Sequence, residues 1–248
     1  MLTVGVDLAA EPKGTAIACL EWSEGRASLR DLALGADDQQ IVDAIRRADK
    51  AGIDCPLGWP RSFVEFVSTH QHGNVTVPVH LAGRDWRRRL AYRLTDLAVH
   101  ELTGRWPLSV VADRIGHTAM RAAGLLARLA ADGDPVDRTG TGVVVEVYPA
   151  ASLRQWGLPS TRYKRKANLA GLADLVDQLK TAADWLDLDA GEALCRASDH
   201  AIDAVLAALT ARAATRALVT VPAADQLDTA RSEGWIAIPT SPISSLNR

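Results

Sequence analysis

Cysteine is scarce in this chain. Cys19, Cys55 and Cys195 are the only three among 248 residues, and none lies in a CxxC pair. So small, odd and scattered a set speaks against a disulfide framework or a cysteine zinc site. It suits a reducing compartment, so a cytoplasmic location without a disulfide partner is expected. No apolar run reaches the roughly 18 residues of a membrane span, so no membrane association is expected. The opening residues enter strand-like sequence directly, without a basic stretch and a long apolar run, so no signal peptide is expected. The net charge of -2 excludes a global basic field, and contact with a polyanion would need a local patch. Internal repeats, low-complexity tracts and linkers are also absent. At 48% hydrophobic and 23% charged, the chain has an ordinary globular composition, read as one domain spanning 1–248.

The pattern present is α/β. Residues 2–7 read as a buried strand, and 15–22 with 27–34 as a hairpin closed by Ser23-Glu24-Gly25-Arg26. Asp37-Asp38 caps a helix running to residue 50, with Ile41, Val42 and Ile45 at helical spacing. Gly52 reads as that helix's stop, and Ile53-Asp54 as a short fourth strand. Residues 56–141 read as a mostly helical insertion, with helices over 61–68, 87–102 and 109–131. A fifth strand covers 142–148. Helices follow over 169–186 and 198–216, and a short strand over 235–239.

Acidic residues punctuate these elements. Asp7 and Asp54 fall where strands end, the place where α/β proteins build sites. Glu146 sits inside Val143-Val144-Val145-Glu146-Val147-Tyr148-Pro149. Asp199 and Asp203 are i and i+4 on one helix face. Carboxylates gathered there repel one another unless a cation joins them, and a hard divalent ion suits an oxygen donor set. The expected cofactor is Mg²⁺ or Mn²⁺, one ion or two about 4 Å apart, as in phosphodiester hydrolysis. Asp7, Asp54, Asp199 and Asp203 are the candidate metal ligands. Those four with Glu146 are the candidate catalytic set. Each acid has a plainer reading: a turn cap for Asp7, a loop acid for Asp54, a solvent-facing strand residue for Glu146, and a helix N-cap for Asp199. Asp203 is the hardest to explain away, because it lies one turn inside an apolar helix.

Two basic clusters stand out, Arg84-Arg87-Arg88-Arg89-Arg93 and Arg162-Lys164-Arg165-Lys166. Either can meet phosphates, or form a solvated face. Trp86, Tyr92 and Tyr163 lie beside them and can stack on bases. Arg89, Arg93, Tyr163 and Lys164 are the candidate substrate-binding residues, with nucleic acid as the candidate partner. Thr95 and Asp96 are placed to hold the first cluster. His70, His72 and His80 lack zinc-site spacing. Ser62, Ser68 and Cys55 lack a nucleophile signature.

The segments Gly5-Val6-Asp7-Leu8-Ala9, Ile53-Asp54-Cys55-Pro56-Leu57-Gly58, Tyr92-Arg93-Leu94-Thr95-Asp96, Glu146-Val147-Tyr148-Pro149-Ala150, Tyr163-Lys164 and Asp199-His200-Ala201-Ile202-Asp203-Ala204 together resemble a domain-of-unknown-function family. That family is described as predicted nucleases of ribonuclease H fold. The resemblance implies a ribonuclease H-like α/β fold, with a mixed five-stranded sheet flanked by helices and the helical insertion between strands four and five. It implies a metal-dependent nuclease, a hydrolase of phosphodiester bonds. The wider superfamily includes Holliday-junction resolvases, whose first-strand Asp resembles Asp7 and whose final-helix Asp resembles Asp203. Their second helix acid falls three residues earlier, where this chain has His200, and Asp199 is four earlier. The second helix ligand is thus open between them. Two other classes stand beside the nuclease. One is an ATP-dependent phosphotransferase of actin-like fold, which lacks here a second Gly-rich phosphate motif near 143–150. The other is a non-catalytic binding domain that keeps the fold.

Overall fold

A computed structural model describes residues 1–77 and 83–247, except for the Lys166 side chain. His80 lies outside the described residues. A mixed seven-stranded sheet forms the centre. Its strands are β1 (Leu2–Asp7), β2 (Ala16–Ser23), β3 (Arg26–Leu34), β4 (Lys50–Asp54), β5 (Val144–Val147), β6 (Leu186–Asp187) and β7 (Ile236–Ala237), in the order β6-β3-β2-β1-β4-β5-β7. β2 runs antiparallel to both β1 and β3, while β1-β4, β4-β5, β5-β7 and β3-β6 are parallel. The sheet thus has two strands more than the five expected. β6 and β7 are two-residue additions at its edges; β7 falls within the short strand expected over 235–239, while β6 is too short to leave a periodic signal.

Helices cover both faces. α1 (Asp38–Arg47) opens with a capping box in which Asp37 accepts from the Gln40 backbone. Its Ile41, Val42 and Ile45 pack with Val4, Val6 and Ile53 and with α5 (Gly116–Ala131). The opposite face of the sheet meets α7 (Leu169–Ala182), α8 (Glu192–Ala197) and α9 (Asp199–Thr215). α9 is apolar nearly all round, and its residues from Ala201 to Ala211 are all buried, as a central helix requires.

Between β4 and β5 lie α2 (Arg61–Gln71), α3 (Arg84–Ala91), α4 (Leu94–Thr103) and α5. α6 (Pro149–Gln155) and α10 (Leu227–Glu233) complete the described helices. Several sequence expectations shift here. The helix expected over 87–102 breaks at Tyr92-Arg93, because Arg93 is drawn into the core by buried carboxylates. The first helix ends at Arg47, and Gly52 sits inside β4, so it is not a helix stop.

Gly52 has another reason to be there. A Cβ on it would lie 2.5 Å from the Ala207 carbonyl oxygen, and one on Gly5 would lie 1.9 Å from that of Ala204. Gly5 and Gly52 are register partners across β1 and β4. Together they let the α9 backbone rest directly on the sheet.

Candidate metal centre

Strand alternation decides which acids meet. Thr3, Gly5 and Asp7 share the sheet face that receives α9, while Val4 and Val6 face α1. Gly52 and Asp54 share that same face on β4, and Asp7 and Asp54 are direct register partners at the strands' carboxyl ends. Asp203, on the first turns of α9, faces them. One carboxylate oxygen from each of Asp7, Asp54 and Asp203 lies within 4.8 Å of the others, an arrangement that can hold a metal ion.

Two of the three are buried and Asp54 is half-buried. Asp203 is 2% exposed and Asp7 is 9% exposed. Burial raises the Asp54 carboxyl well above the usual range; Lys164 opposes the rise, and Asp7 and Asp203 add to it. Burial likewise lifts Asp203, against Lys164, to about 6. Lys164 Nζ stands 2.6 Å from Asp203 Oδ2, and the Tyr163 hydroxyl donates to Asp203 Oδ1 at 2.9 Å. Burial lowers the Lys164 ammonium, but Asp203 and Asp54 outweigh it, so its pKa is raised. With all three carboxylates ionised, Lys164 and His200 leave an excess of negative charge in a largely buried place. A hard divalent cation fits that charge and that all-oxygen donor set.

Of the two candidates for the second helix residue, His200 is the one that touches the triad. Its Nδ1 is 2.6 Å from Asp7 Oδ2, and this contact, against a smaller effect of burial, raises the imidazole pKa. Asp199 stands apart from the triad, and its Oδ2 accepts the Arg165 backbone N–H at 2.9 Å. The helix cap itself is Ser198, whose side chain accepts from Ala201.

Glu146 also stands apart. It is the register partner of Ile53, which places it on the face opposite Asp7 and Asp54. There it meets Arg93, with contacts of 2.8 Å from Nη1 and 2.7 Å from Nη2, and accepts the Leu57 N–H at 3.0 Å. Arg93 also donates to Asp96 and to the Glu233 carbonyl, so all five guanidinium N–H groups are engaged. At 1% exposure Arg93 is held in a core ion pair at the inner end of the cavity beside Asp54. Asp96 is its partner, and Thr95 Oγ1 accepts from the Ile236 N–H. Tyr163 is buried as well, and supports Asp203 without a face to offer a base. Arg89 lies exposed on α3, where its carbonyl accepts from Ser62. His70 and His72 lie on the surface at the end of α2. Among the described residues, the Asp7-Asp54-Asp203 group is the one metal-capable cluster.

A cavity of about 420 Å³ opens beside Asp54. Arg105, Arg114, Arg162 and Lys164 line it, with Tyr148 and Leu108. Sequence reading missed Arg105 and Arg114. Each is isolated among unlike neighbours, and only the fold carries them to Lys164, some fifty residues further along.

The fold and site define an α/β protein with a mixed sheet and, at the carboxyl ends of β1 and β4, a carboxylate triad that could hold a metal ion. The chain belongs to the family of proteins of unknown function designated DUF429, whose model matches residues 5–227. No curated protein and no solved structure matches the chain. The described residues include no helix long and apolar enough to cross a membrane, and all three cysteines are free.

Proposed function

We propose that the protein is a divalent-metal-dependent phosphodiesterase acting on nucleic acid, built on a ribonuclease H-like core. One observation carries this reading: Asp7, Asp54 and Asp203, from three different elements, converge within 4.8 Å beside a cavity with a cationic lining. The succession of three strands, a helix, a fourth strand and a parallel fifth beside it supports the fold assignment.

Asp7, Asp54 and Asp203 would hold Mg²⁺ or Mn²⁺, which when bound polarises the phosphodiester and lowers the pKa of water. The chain's own groups do the rest. Tyr163 fixes the rotamer of Asp203 through its hydroxyl. Lys164, which balances Asp203, is placed to meet a phosphate oxygen as charge builds on it. His200, oriented by Asp7 and half-exposed, is placed to pass a proton between the site and solvent.

The test is hydrolysis of bis(4-nitrophenyl) phosphate and of labelled DNA and RNA with Mn²⁺ or Mg²⁺. Metal-dependent cleavage is expected, and Asp7→Asn and Asp203→Asn should each lower it at least a hundredfold. Activity that survives either substitution would sink the proposal.

A further inference from the structure

We infer that the substrate offers this site one unpaired nucleotide, seated in the cavity between residues 105–108 and 160–164 with its phosphate toward Asp54 and Lys164. The inference rests on the phosphodiesterase reading and adds the form of the strand.

Size is the first argument. A volume of about 420 Å³ falls in the range of small-ligand pockets, about 300–1,000 Å³, and it is a recess beside the triad. Duplex DNA is read across an extended surface of roughly 1,000–2,500 Å². An enzyme that works on one nucleotide in a recess takes it out of the stack or finds it already unpaired.

The lining is the second argument. Pro107, Leu108, Ile115, Val147 and Ile236 give apolar surface for a base, and Tyr148 adds an aromatic ring. Arg105, Arg114 and Arg162 bring positive charge to the same space, and among the described residues none of the three is salt-bridged. Lys164 is already paired with Asp203, so these three arginines add the unpaired positive charge beside it for an incoming phosphate.

The walls are also built to hold their shape. One wall starts at Gly104, which ends α4 in the left-handed region at φ 69°. The Arg105 N–H donates to Thr103 Oγ1 at 3.2 Å. Trp106 is clamped between rings, 3.9 Å from His100 and 4.5 Å from Tyr92, under the Arg88 guanidinium. The Ser109 hydroxyl then ties the segment to the Ala91 carbonyl at 2.7 Å. The other wall holds Arg162 at φ 62°, with Arg165 just beyond it at 76°, a conformation that side-chain-bearing residues adopt rarely. Tyr163 and the Arg165 N–H pin this wall to Asp203 and Asp199 on α9.

Binding tests the inference separately from hydrolysis. Fluorescein-labelled, 5′-phosphorylated tetrathymidylate and tetrauridylate, and a hairpin duplex, are titrated by anisotropy with Ca²⁺ at fixed salt. The unpaired strands should bind at least tenfold tighter than the duplex. Leu108 is 42% exposed, so Leu108→Trp should fill the cavity without unfolding the chain, and a melting curve checks this. It should weaken strand binding roughly tenfold, and Arg105→Glu should do so independently. The ratio between the two strands decides DNA against RNA. A duplex that binds as tightly as the strands overturns the inference, as does a folded Leu108→Trp with unchanged strand affinity. If the strands bind as expected but bis(4-nitrophenyl) phosphate is never cut, the phosphodiesterase reading falls and the single-nucleotide pocket stands.

Discussion

Gly5 and Gly52 face each other across β1 and β4, and the backbone of α9 lies against both. Helix and sheet approach this closely only because neither position carries a side chain. The approach brings Asp203 to Asp7 and Asp54, so two glycines with no chemistry of their own set the geometry of the site. Gly5→Ala would put a methyl group 1.9 Å from the Ala204 carbonyl oxygen. We expect it to cost about 3 kcal/mol or more in urea denaturation, as an overpacked core site does. Any folded fraction should have lost Mn²⁺ affinity. A Gly5→Ala variant as stable as the parent would mean that α9 does not sit on the sheet in this way.

The Arg93 network makes a separate claim about stability. Arg93→Met leaves Glu146 and Asp96 buried without a cation, and should cost about 3–5 kcal/mol. Glu146→Gln keeps the shape and the Leu57 contact and should cost less. It should also leave Mn²⁺ affinity within about twofold, because Glu146 faces away from the triad. Calorimetric titration checks this, and a large loss of Mn²⁺ binding in Glu146→Gln would return Glu146 to the metal site.

The raised carboxyls make metal binding depend on pH. Asp203 titrates near 6 in the folded chain and about 3.9 unfolded, so the folded state holds its proton more tightly. Asp54 is shifted in the same direction. The metal-free protein should therefore lose stability from these groups as pH rises from about 4 through 6. His200, also raised, adds to that loss near neutrality. A metal ion needs the carboxylates ionised, so its stabilising effect should grow over the same interval. Melting temperatures at pH 5 and 7.5, with and without Mn²⁺, should show the larger Mn²⁺ increment at pH 7.5. Equal increments would contradict the shifts.

Lys164 is the cation that the triad has without a metal. Lys164→Ala should lower the stability of the metal-free protein by about 1–2 kcal/mol. That is less than a fully buried pair loses, because the Lys164 side chain is 47% exposed. Saturating Mn²⁺ should restore most of the loss, since a metal would take over the charge on Asp203. A loss that Mn²⁺ cannot restore would mean that lysine and metal do not share that carboxylate.

The thiols should be silent in the native protein. Cys19, Cys55 and Cys195 are buried, and burial pushes Cys19 to about 11 and Cys195 to about 12. Ellman's reagent should find no fast-reacting thiol in buffer and three in urea. A fast native reaction would place a cysteine at the surface.

Much of the site could be read from residue types at element ends. Asp7 and Asp54 close strands that the alternating and apolar runs already mark, and Asp203 sits where an apolar helix has no local use for an acid. The central strands follow from the same local periodicity. Local pattern failed where a residue's role depends on a distant partner. Gly52 reads as a helix stop until α9 is seen above it. Arg93 reads as part of a surface basic helix until the Asp96 and Glu146 carboxylates and the Glu233 carbonyl claim its guanidinium. β6 gains its strand character only by adding to an existing edge.

The sequence by itself determined the α/β alternation, the family and three acids with a reason to meet, because periodicity and end position are local properties of the chain. The tertiary structure alone decided which face each strand residue presents. That parity sends Asp7 and Asp54 to α9 and turns Glu146 toward Arg93, while the packing of helices and loops sets His200 on Asp7 and gathers Arg105, Arg114 and Arg162 around one cavity. Side-chain parity depends on register between strands far apart in the chain, and register is fixed only when the sheet and its helices pack.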